Sequence, residues 1–503
     1  MDSQTIIDFL VERDEFVDNE SALKLKSILK LDDKIQIEKE LKVFFKSFFP
    51  DFDSNLFFKT FFSKKSDDLG RVSILKSFEK EPCKRSVDDF VRYFNIRFKA
   101  IERMLRERTE LTGLTSINRI SGKKDRDTVS VIGMILNISE TKNGHFILEL
   151  EDLSGVTKVL VNKDNEELIP IVKDLVLDEV IGLVGTSGGD LLFAKKILHP
   201  DIPLSKELKK SPFDHYAVFL GDFHVGSKEF LDNEFKKFLL WLNGKMGTPA
   251  QREIAKKVKY LILTGDIVEG VGIYPGQQND LLVDNMKGQY ELLAQYLKKI
   301  PSNIKIIISP GNHDTGRLAE PQLPIEKDYA SSLWDLPNVI MVSNPAYVSL
   351  DVSDIFSGLD VLIYHGGSLI YYSDVVPRIR AAGGQKAVDE IMKFLLKRRH
   401  LAPSHGSTLY VPDVYEDALV IDPVPDIFVT GHIHRVVSTT YRNVSCLNTS
   451  CWTAITEDQE KRGLAPQPAR AILMSLKTRD VKIMNFNTQK DVTSVAELKR
   501  LKQ

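Results

Sequence analysis

Hydrophobic positions change their period twice along the chain. Up to residue 60 the apolar side chains fall at helical spacing: Ile6, Ile7, Phe9 and Leu10, then Leu23, Leu25, Ile28 and Leu29, then Leu41, Val43, Phe44 and Phe45. Pro50 closes the pattern, and residues 1–60 are expected to form a small helical domain. Residues 61–85 mix charge with weak periodicity and read as a linker. Ser86 followed by Asp88 and Asp89 marks a helix start, because a hydroxyl caps free amides and acids favour the first turn. That helix is expected to pass through Phe94, Phe98, Ile101 and Leu105 to about Leu111, its alternating charges on a solvated face. Residues 61–125 are therefore linker plus helix.

From about residue 127 the period drops to two. TVSVIGMILNI, HFILELED, TKVLVN, DEVIGLVGTS and LLFAKKIL read as five short strands, with a helical stretch from Glu166 to Leu175 between the third and fourth. Five strands so interrupted suit an OB-type β-barrel over residues 126–200. The strands lack an obvious aromatic platform for stacking bases, so a purely structural barrel and a nucleic-acid-binding one both remain open.

Beyond Pro200 and Pro203 the pattern becomes strand, polar loop, helix. YAVFLG, VKYLILTG, NIKIIISPG, LDVLIYHG and PDIFVTG are apolar runs of strand length, and helical stretches such as Asp284–Ile300 and Gln385–Arg399 lie between some of them. This is α/β alternation over residues 210–487. The polar tail 488–503 is either loose or a docking helix.

Composition narrows the class. The 503 residues are 43% hydrophobic and 27% charged, the balance of a globular protein with a sizeable core. At ~150 residues per domain the length suggests about three domains. A formal net charge of −2 argues against a globally basic nucleic-acid coat, so any grip on DNA or RNA is local or lent by a partner. Three cysteines, Cys83, Cys446 and Cys451, are too few for a disulfide framework or a Cys-rich zinc site and fit a reducing interior. The acidic N-terminus lacks the basic start and apolar run of a signal peptide, and no apolar stretch reaches the ~18 residues of a membrane span. A cytoplasmic protein is expected.

The candidate chemistry lies where the five apolar runs stop. The first leads into Asp222-Phe223-His224 and the second into Gly265-Asp266; the third gives Gly311-Asn312-His313-Asp314. The fourth ends on His365-Gly366, and the fifth on Gly431-His432-Ile433-His434. Half of the ten histidines thus sit at strand ends, where open α/β sheets place ligands. Two divalent cations ~3.5–4 Å apart need a shared anionic ligand between them and N/O ligands on each side. Carboxylate, imidazole and amide oxygen without thiolate suit manganese, magnesium, iron or zinc. The glycines are expected to let the backbone turn sharply and approach a phosphate.

Taken in order, D-x-H, G-D, G-N-H-D, H and G-H-x-H resemble the motif set of the calcineurin-like metallophosphoesterase superfamily. The resemblance implies an α/β metallophosphoesterase, a two-sheet β-sandwich flanked by helices. In it Asp222, His224 and His434 would hold one metal, Asp266 would bridge, and Asn312, His365 and His432 would hold the second. His313 would be the general acid or transition-state stabiliser. GIYPGQQNDLLVDNMKGQYELLAQYLKKIP, KRRHLAPSHG and SCLNTSCWTAITEDQE further resemble the small subunit of archaeal family-D DNA polymerase, over about residues 86–487. That implies a proofreading 3′→5′ exonuclease using two divalent ions, manganese foremost. It would act on single-stranded or mismatched DNA 3′ ends beside a large catalytic subunit, as a heterodimer or heterotetramer. Related small subunits of eukaryotic replicative polymerases have lost metal ligands; this sequence keeps them.

Several residues retain two readings. Asp314 either orients His313 through its other ring nitrogen or caps the following helix. From Val376 to His400, Arg378, Arg380, Lys386, Lys393, Lys397, Arg398 and Arg399 face only Asp389 and Glu390. This is either a local basic patch for a DNA backbone or a solvated helix face. His400 and His405 are expected at the surface, with the same cleft as the alternative, and His145, His199 and His215 carry no motif. Tyr274-Pro275-Gly276 is a turn that could touch substrate, whereas Cys451 and Trp452 read as core. Exonuclease, non-catalytic scaffold and stand-alone phosphoesterase are the functions left open.

Overall fold

The computed structural model describes residues 71–79, 84–123, 126–189, 191–455, 459, 461 and 463–487, with Leu41, Phe44 and Phe45. The chain divides into two compact units, Met1–Leu69 and Gly70–Gln503. In the first, Leu41, Phe44 and Phe45 are helical and buried, the two rings edge-on at 5.5 Å. The rest of the expected N-terminal helical domain lies outside the described residues, as does the tail 488–503. No helix among the described residues is long and apolar enough to cross a membrane.

The second unit opens with β1 (Val72–Lys76), a strand in the stretch expected to be linker. The helix Val87–Arg106 follows, its start fixed as expected: Ser86 donates its backbone N–H to Asp89 Oδ2 at 2.7 Å and its hydroxyl at 3.1 Å. It ends five residues before Leu111. Its buried face carries Tyr93, Arg97, Phe98, Ile101, Met104 and Leu105, so the alternating charges are not all solvated.

Five strands then close a barrel: β2 (Thr128–Glu140), β3 (Phe146–Asp152), β4 (Gly155–Val161), β5 (Val180–Gly188) and β6 (Leu191–Leu198). Their order is β2-β3-β4-β6-β5, with the helix Leu168–Lys173 between the third and fourth. Alternate residues such as Val129, Val131, Leu148, Leu150, Val159, Val161, Ile181 and Leu183 fill its interior, the two-residue period read as burial on one face.

The remaining strands form two six-stranded sheets. One runs β10-β9-β8-β7-β16-β17 and the other β1-β11-β12-β13-β15-β14. Their members are β7 (Tyr216–Leu220), β8 (Val258–Leu263), β9 (Lys305–Ile308), β10 (Val339–Met341), β11 (Ala346–Leu350), β12 (Leu359–Tyr364), β13 (Ile427–Thr430), β14 (Val437–Tyr441), β15 (Val444–Asn448), β16 (Arg470–Ser475) and β17 (Val481–Asn485). The sheets pack face to face through Ala217, Phe219, Ile262 and Ile307 from one and Val361, Ile363, Val429 and Leu447 from the other. Helices cover both outer faces. Val218, Leu261 and Ile306 meet Phe235, Phe238, Tyr290 and Leu293, while Leu362, Tyr364 and Phe428 meet Ile391, Phe394 and Leu395. Strands apolar on both sides read as unbroken hydrophobic runs, which is why these were legible.

β7, β8 and β9 are mutually parallel, as are β12 and β13. Their carboxyl ends therefore lie along one edge of each sheet, and the five motif loops leave from those ends.

Two buried ionic clusters seat the outer elements. Arg97 Nε lies 2.8 Å from Asp417 Oδ2, and Tyr93 Oη donates to Asp417 Oδ1 at 2.6 Å. His400 Nε2 is 2.9 Å from the same carboxylate, so His400 is a buried anchor and not the expected surface histidine. Glu179, at the foot of the barrel, meets Arg398 Nε at 2.8 Å.

Candidate metal centre

The ligand loops hold unusual backbone. Asp222, His224, Asp266 and His432 have φ of 51°, 53°, 48° and 68°. This left-handed region costs a non-glycine residue roughly 1–3 kcal/mol and is sustained only where surroundings enforce it. Here neighbouring loops supply the enforcement. Asp222 N donates to Gly265 O and His224 N to Asp266 O, each at 3.0 Å. His432 N donates to Asp222 Oδ1 at 2.9 Å, which ties the last motif to the first.

The seven expected ligands converge. Donor atoms of Asp222, His224 and His434 lie within 4.8 Å of one another, and so do those of Asp266, His365 and His432. His434 Nε2 is 3.3 Å from His224 Nε2 and 3.6 Å from Asp222 Oδ1. Asp266 Oδ2 stands 3.9 Å from His224 Nε2 and 3.3 Å from His365 Nε2, between the two groups. Asn312 Oδ1 is 3.0 Å from His365 Nε2. His365 Nδ1 meets the Thr264 carbonyl at 2.8 Å, which leaves Nε2 as the coordinating atom. The donor set, two carboxylates, four imidazoles and an amide oxygen, is of the N/O type that suits divalent cations, and Asp266 stands between its two groups.

The glycines serve close packing beneath the ligands. At Gly265 (φ 101°) a Cβ would stand 2.7 Å from both Gly311 N and His365 Nδ1, and at Gly311 a Cβ would stand 2.3 Å from Asp266 Oδ1. Behind them Gln322 Nε2 donates to Gly311 O at 3.0 Å, and Asn344 joins Gln322 Oε1 to the His365 backbone N–H.

Burial and mutual charge set the protonation of the centre. Burial pushes Asp222 up to about 8, with His365 opposing and Asp266 reinforcing. Burial works against charge on His365, yet the carboxylates of Asp266 and Asp222 outweigh it and hold that imidazole up at about 10. Burial and the neighbouring His365 drive His432 down to about 3. His432 thus offers a neutral lone pair.

His313 and Asp314 part company. His313 N donates to Asp266 Oδ1 at 2.8 Å, and its Nδ1 meets the Glu269 carbonyl at 2.7 Å, leaving Nε2 toward the ligands. Asp314 does not orient it. Asp314 Oδ2 accepts from Gly311 N at 2.8 Å and Ile267 N at 3.3 Å, and Oδ1 accepts from Tyr290 Oη at 3.3 Å. It braces two motif loops, and burial raises it to about 7. Sequence reasoning missed Glu269, whose carboxylate lies 3.0 Å from His224 Nδ1. Its signal was an acid three residues beyond Asp266 in GDIVEG.

The basic run divides: Arg398 and Arg399 are buried, whereas Arg378, Arg380 and Lys386 are exposed. Arg398 is 5% exposed and sits between Glu179 and the Asp174 carbonyl, 2.6 Å away. Arg399 is buried with Nε 2.8 Å from Ile421 O. Arg378 pairs with Asp174 at 2.7 Å and with Glu390. Expected as DNA contacts, Arg398 and Arg399 are instead spent on protein partners, because the end of the helix Val388–Arg398 is buried; Arg378 pairs with acids at the surface. Arg380 is exposed and Lys397 partly so.

Known proteins place the chain. The family that comprises the B-type subunits of DNA polymerases alpha and epsilon matches residues 217–438. The DNA polymerase II small subunit of Methanothermobacter thermautotrophicus is 40% identical over 380 residues, covering 76% of each chain. The protein of the same name from Archaeoglobus fulgidus is 41% identical over 389 residues, 77% of this chain and 75% of that one. That from Thermoplasma acidophilum is 37% identical over 410 residues, 80% and 79%. Among solved structures, the telomere capping protein Ten1 matches 17% of this chain at 24% identity and a TM-score of 0.13, too slight a likeness to enter the argument. Identity near 40% across three quarters of both chains, spanning the barrel and the sandwich alike, makes this chain a member of the archaeal DNA polymerase II small-subunit family.

Proposed function

We propose that the chain is a metal-dependent 3′→5′ exonuclease of the calcineurin-like metallophosphoesterase type, carrying an OB-type barrel and proofreading for a replicative polymerase. The observation that carries this reading is the convergence of seven N/O donors from five strand ends on two adjacent positions. Asp222, His224 and His434 would hold one ion, Asn312, His365 and His432 the other, with Asp266 between. Divalent ions bound there, manganese first among candidates, supply a nucleophile at neutral pH and neutralise charge growing on the phosphate.

The chain's own groups do the rest. Asp222 and Asp266 offset the charge of the ions. The Thr264 carbonyl holds His365 with Nε2 inward. His313, fixed through Nδ1 by the Glu269 carbonyl, presents Nε2 to protonate the leaving 3′-oxygen or bind phosphate oxygens. Two of the five expected basic contacts, Arg398 and Arg399, are internal, and a near-neutral chain has little long-range pull on DNA. A frayed 3′ end would therefore be delivered by the large catalytic subunit, the partner implied for a polymerase small subunit.

The test is a manganese-supplemented assay on a 3′-mismatched primer–template, with and without the large subunit. Release of nucleoside monophosphates is expected, reduced at least ~10²-fold in folded Asp222→Ala and His365→Ala. Full activity in either variant would sink the assignment. Hydrolysis of small phosphate esters without action on DNA would favour a stand-alone phosphoesterase, and no hydrolysis at all a scaffold.

A further inference from the structure

One buried carboxylate beside the centre, that of Glu269, has no part in the chemistry above. Glu269 is 6% exposed and follows β8 on the loop that carries Asp266. Its backbone N–H is anchored on Val225 O at 2.9 Å. Gln277 Nε2 reaches its carbonyl at 3.1 Å and its Oε1 at 3.3 Å, and Tyr274 Oη lies 3.4 Å from the same Oε1. One carboxylate oxygen is thereby held by the loop, while Oε2 lies at an ion-pair distance of 3.0 Å from His224 Nδ1, a buried nitrogen that makes no aligned hydrogen bond. The same residue's carbonyl oxygen meets His313 Nδ1 at 2.7 Å. The two imidazoles it touches pack edge-on, with centroids 4.6 Å apart.

We infer that Glu269 is the positioning residue for both histidines, acting on His224 through its side chain and on His313 through its backbone. A histidine that gives its Nδ1 proton to an acceptor presents Nε2 as a fixed lone pair, and such partners typically govern metal affinity 10–100-fold. His224 Nε2 is the atom facing His434 and Asp266, so the Glu269 carboxylate selects the coordinating tautomer. Its counterpart in the second group, His365, is held by the Thr264 main chain. Of these two Nδ1 partners, the Glu269 carboxylate is a replaceable side chain and the Thr264 carbonyl is not. His313, held by a carbonyl, keeps its orientation whatever side chain stands at 269.

The inference rests on the two-ion reading of the centre, and the experiment separates the two. The metal-free full-length chain is titrated with Mn²⁺ by calorimetry, as wild type, Glu269→Ala and Glu269→Gln. Wild type is expected to bind two ions. Glu269→Ala should bind one of them ~10–100-fold more weakly with the other unchanged. Glu269→Gln, whose amide oxygen can still accept the Nδ1 proton, should lose only several-fold at that same ion. Should Glu269→Ala fail to fold, the Gln variant decides alone. Two unchanged affinities, or equal weakening of both, would overturn the role of Glu269 while leaving the centre intact. A wild type that binds no pair of ions would remove the two-ion reading itself, and this role with it.

Discussion

The Nε2 atoms of His224 and His434 lie 3.3 Å apart. One imidazole comes from the end of β7 in one sheet, the other from the end of β13 in the second. Burial and the neighbouring His224 hold His434 well below the usual imidazole range, so a neutral imidazole, not an imidazolium, faces His224 across the seam. Both nitrogens belong to the first of the two donor groups. Manganese is expected to raise the melting temperature of the wild type, by ~2.7 kcal/mol of stability at a hundredfold excess over Kd. EDTA should reverse the gain, and His434→Ala should lose much of it. A melting curve indifferent to manganese would contradict the ion-binding role.

His313 is held by its Nδ1 and touches no carboxylate side chain in doing so. As a proton donor to the leaving oxygen it should contribute ~10²–10⁴-fold. His313→Ala is expected to lower kcat on DNA by that order, with a far smaller loss on a nucleotide p-nitrophenyl ester, whose leaving group needs no proton. Equal losses on both substrates would assign His313 to charge stabilisation alone.

Asp314 joins the loops after β8 and β9 through the amides of Ile267 and Gly311. Removing it strands two buried N–H groups. Asp314→Ala should cost about 1–3 kcal/mol in chemical denaturation, without shifting the pH–rate profile of exonuclease activity. A shifted profile at unchanged stability would restore the orienting role that the structure denies it.

Arg398 meets Glu179 in a pair buried at both ends. Breaking it leaves a carboxylate without its main cation, typically worth about 3–5 kcal/mol. Arg398→Ala should therefore destabilise the chain strongly, while a folded Arg399→Ala leaves the salt dependence of DNA affinity unchanged, since neither guanidinium reaches solvent. A flattened salt slope would return these residues to the DNA surface.

His400 carries a pH dependence of known sign. Its Nε2 faces Asp417 at 2.9 Å, and its Nδ1 accepts from Ala402 N at 2.9 Å, so the neutral ring is fully used. Burial, then the adjacent Arg97, lowers it from 6.5 to about 4. The unfolded chain takes up a proton below pH 6.5 and the folded chain does not until about pH 4. Stability should therefore fall as pH drops through that window, by roughly 3 kcal/mol at most. Denaturation of wild type and His400→Gln at pH 7 and pH 4.5 should show a smaller fall in the variant.

The chain's hydrophobic periods determined much of this protein. Alternation in TKVLVN marked a barrel strand because one face is buried, and unbroken runs such as YAVFL marked sandwich strands because both are. The motif order after those runs picked out seven side chains that the fold brings together, since parallel strands put their carboxyl ends on one edge. What lay beyond the sequence was each side chain's partner, a matter of distance in space and not along the chain. Arg398 looked like a DNA contact until the barrel supplied Glu179, 219 positions away. Asp314 sat next to His313 in sequence yet turned to Gly311 and Ile267, and β1 found β11 across a gap no local pattern records. Glu269 was one acid among many until the fold pressed its carboxylate against His224 and its carbonyl against His313. Local propensity and period select elements, whereas the pairing of buried polar groups is settled only when burial leaves each one a single neighbour.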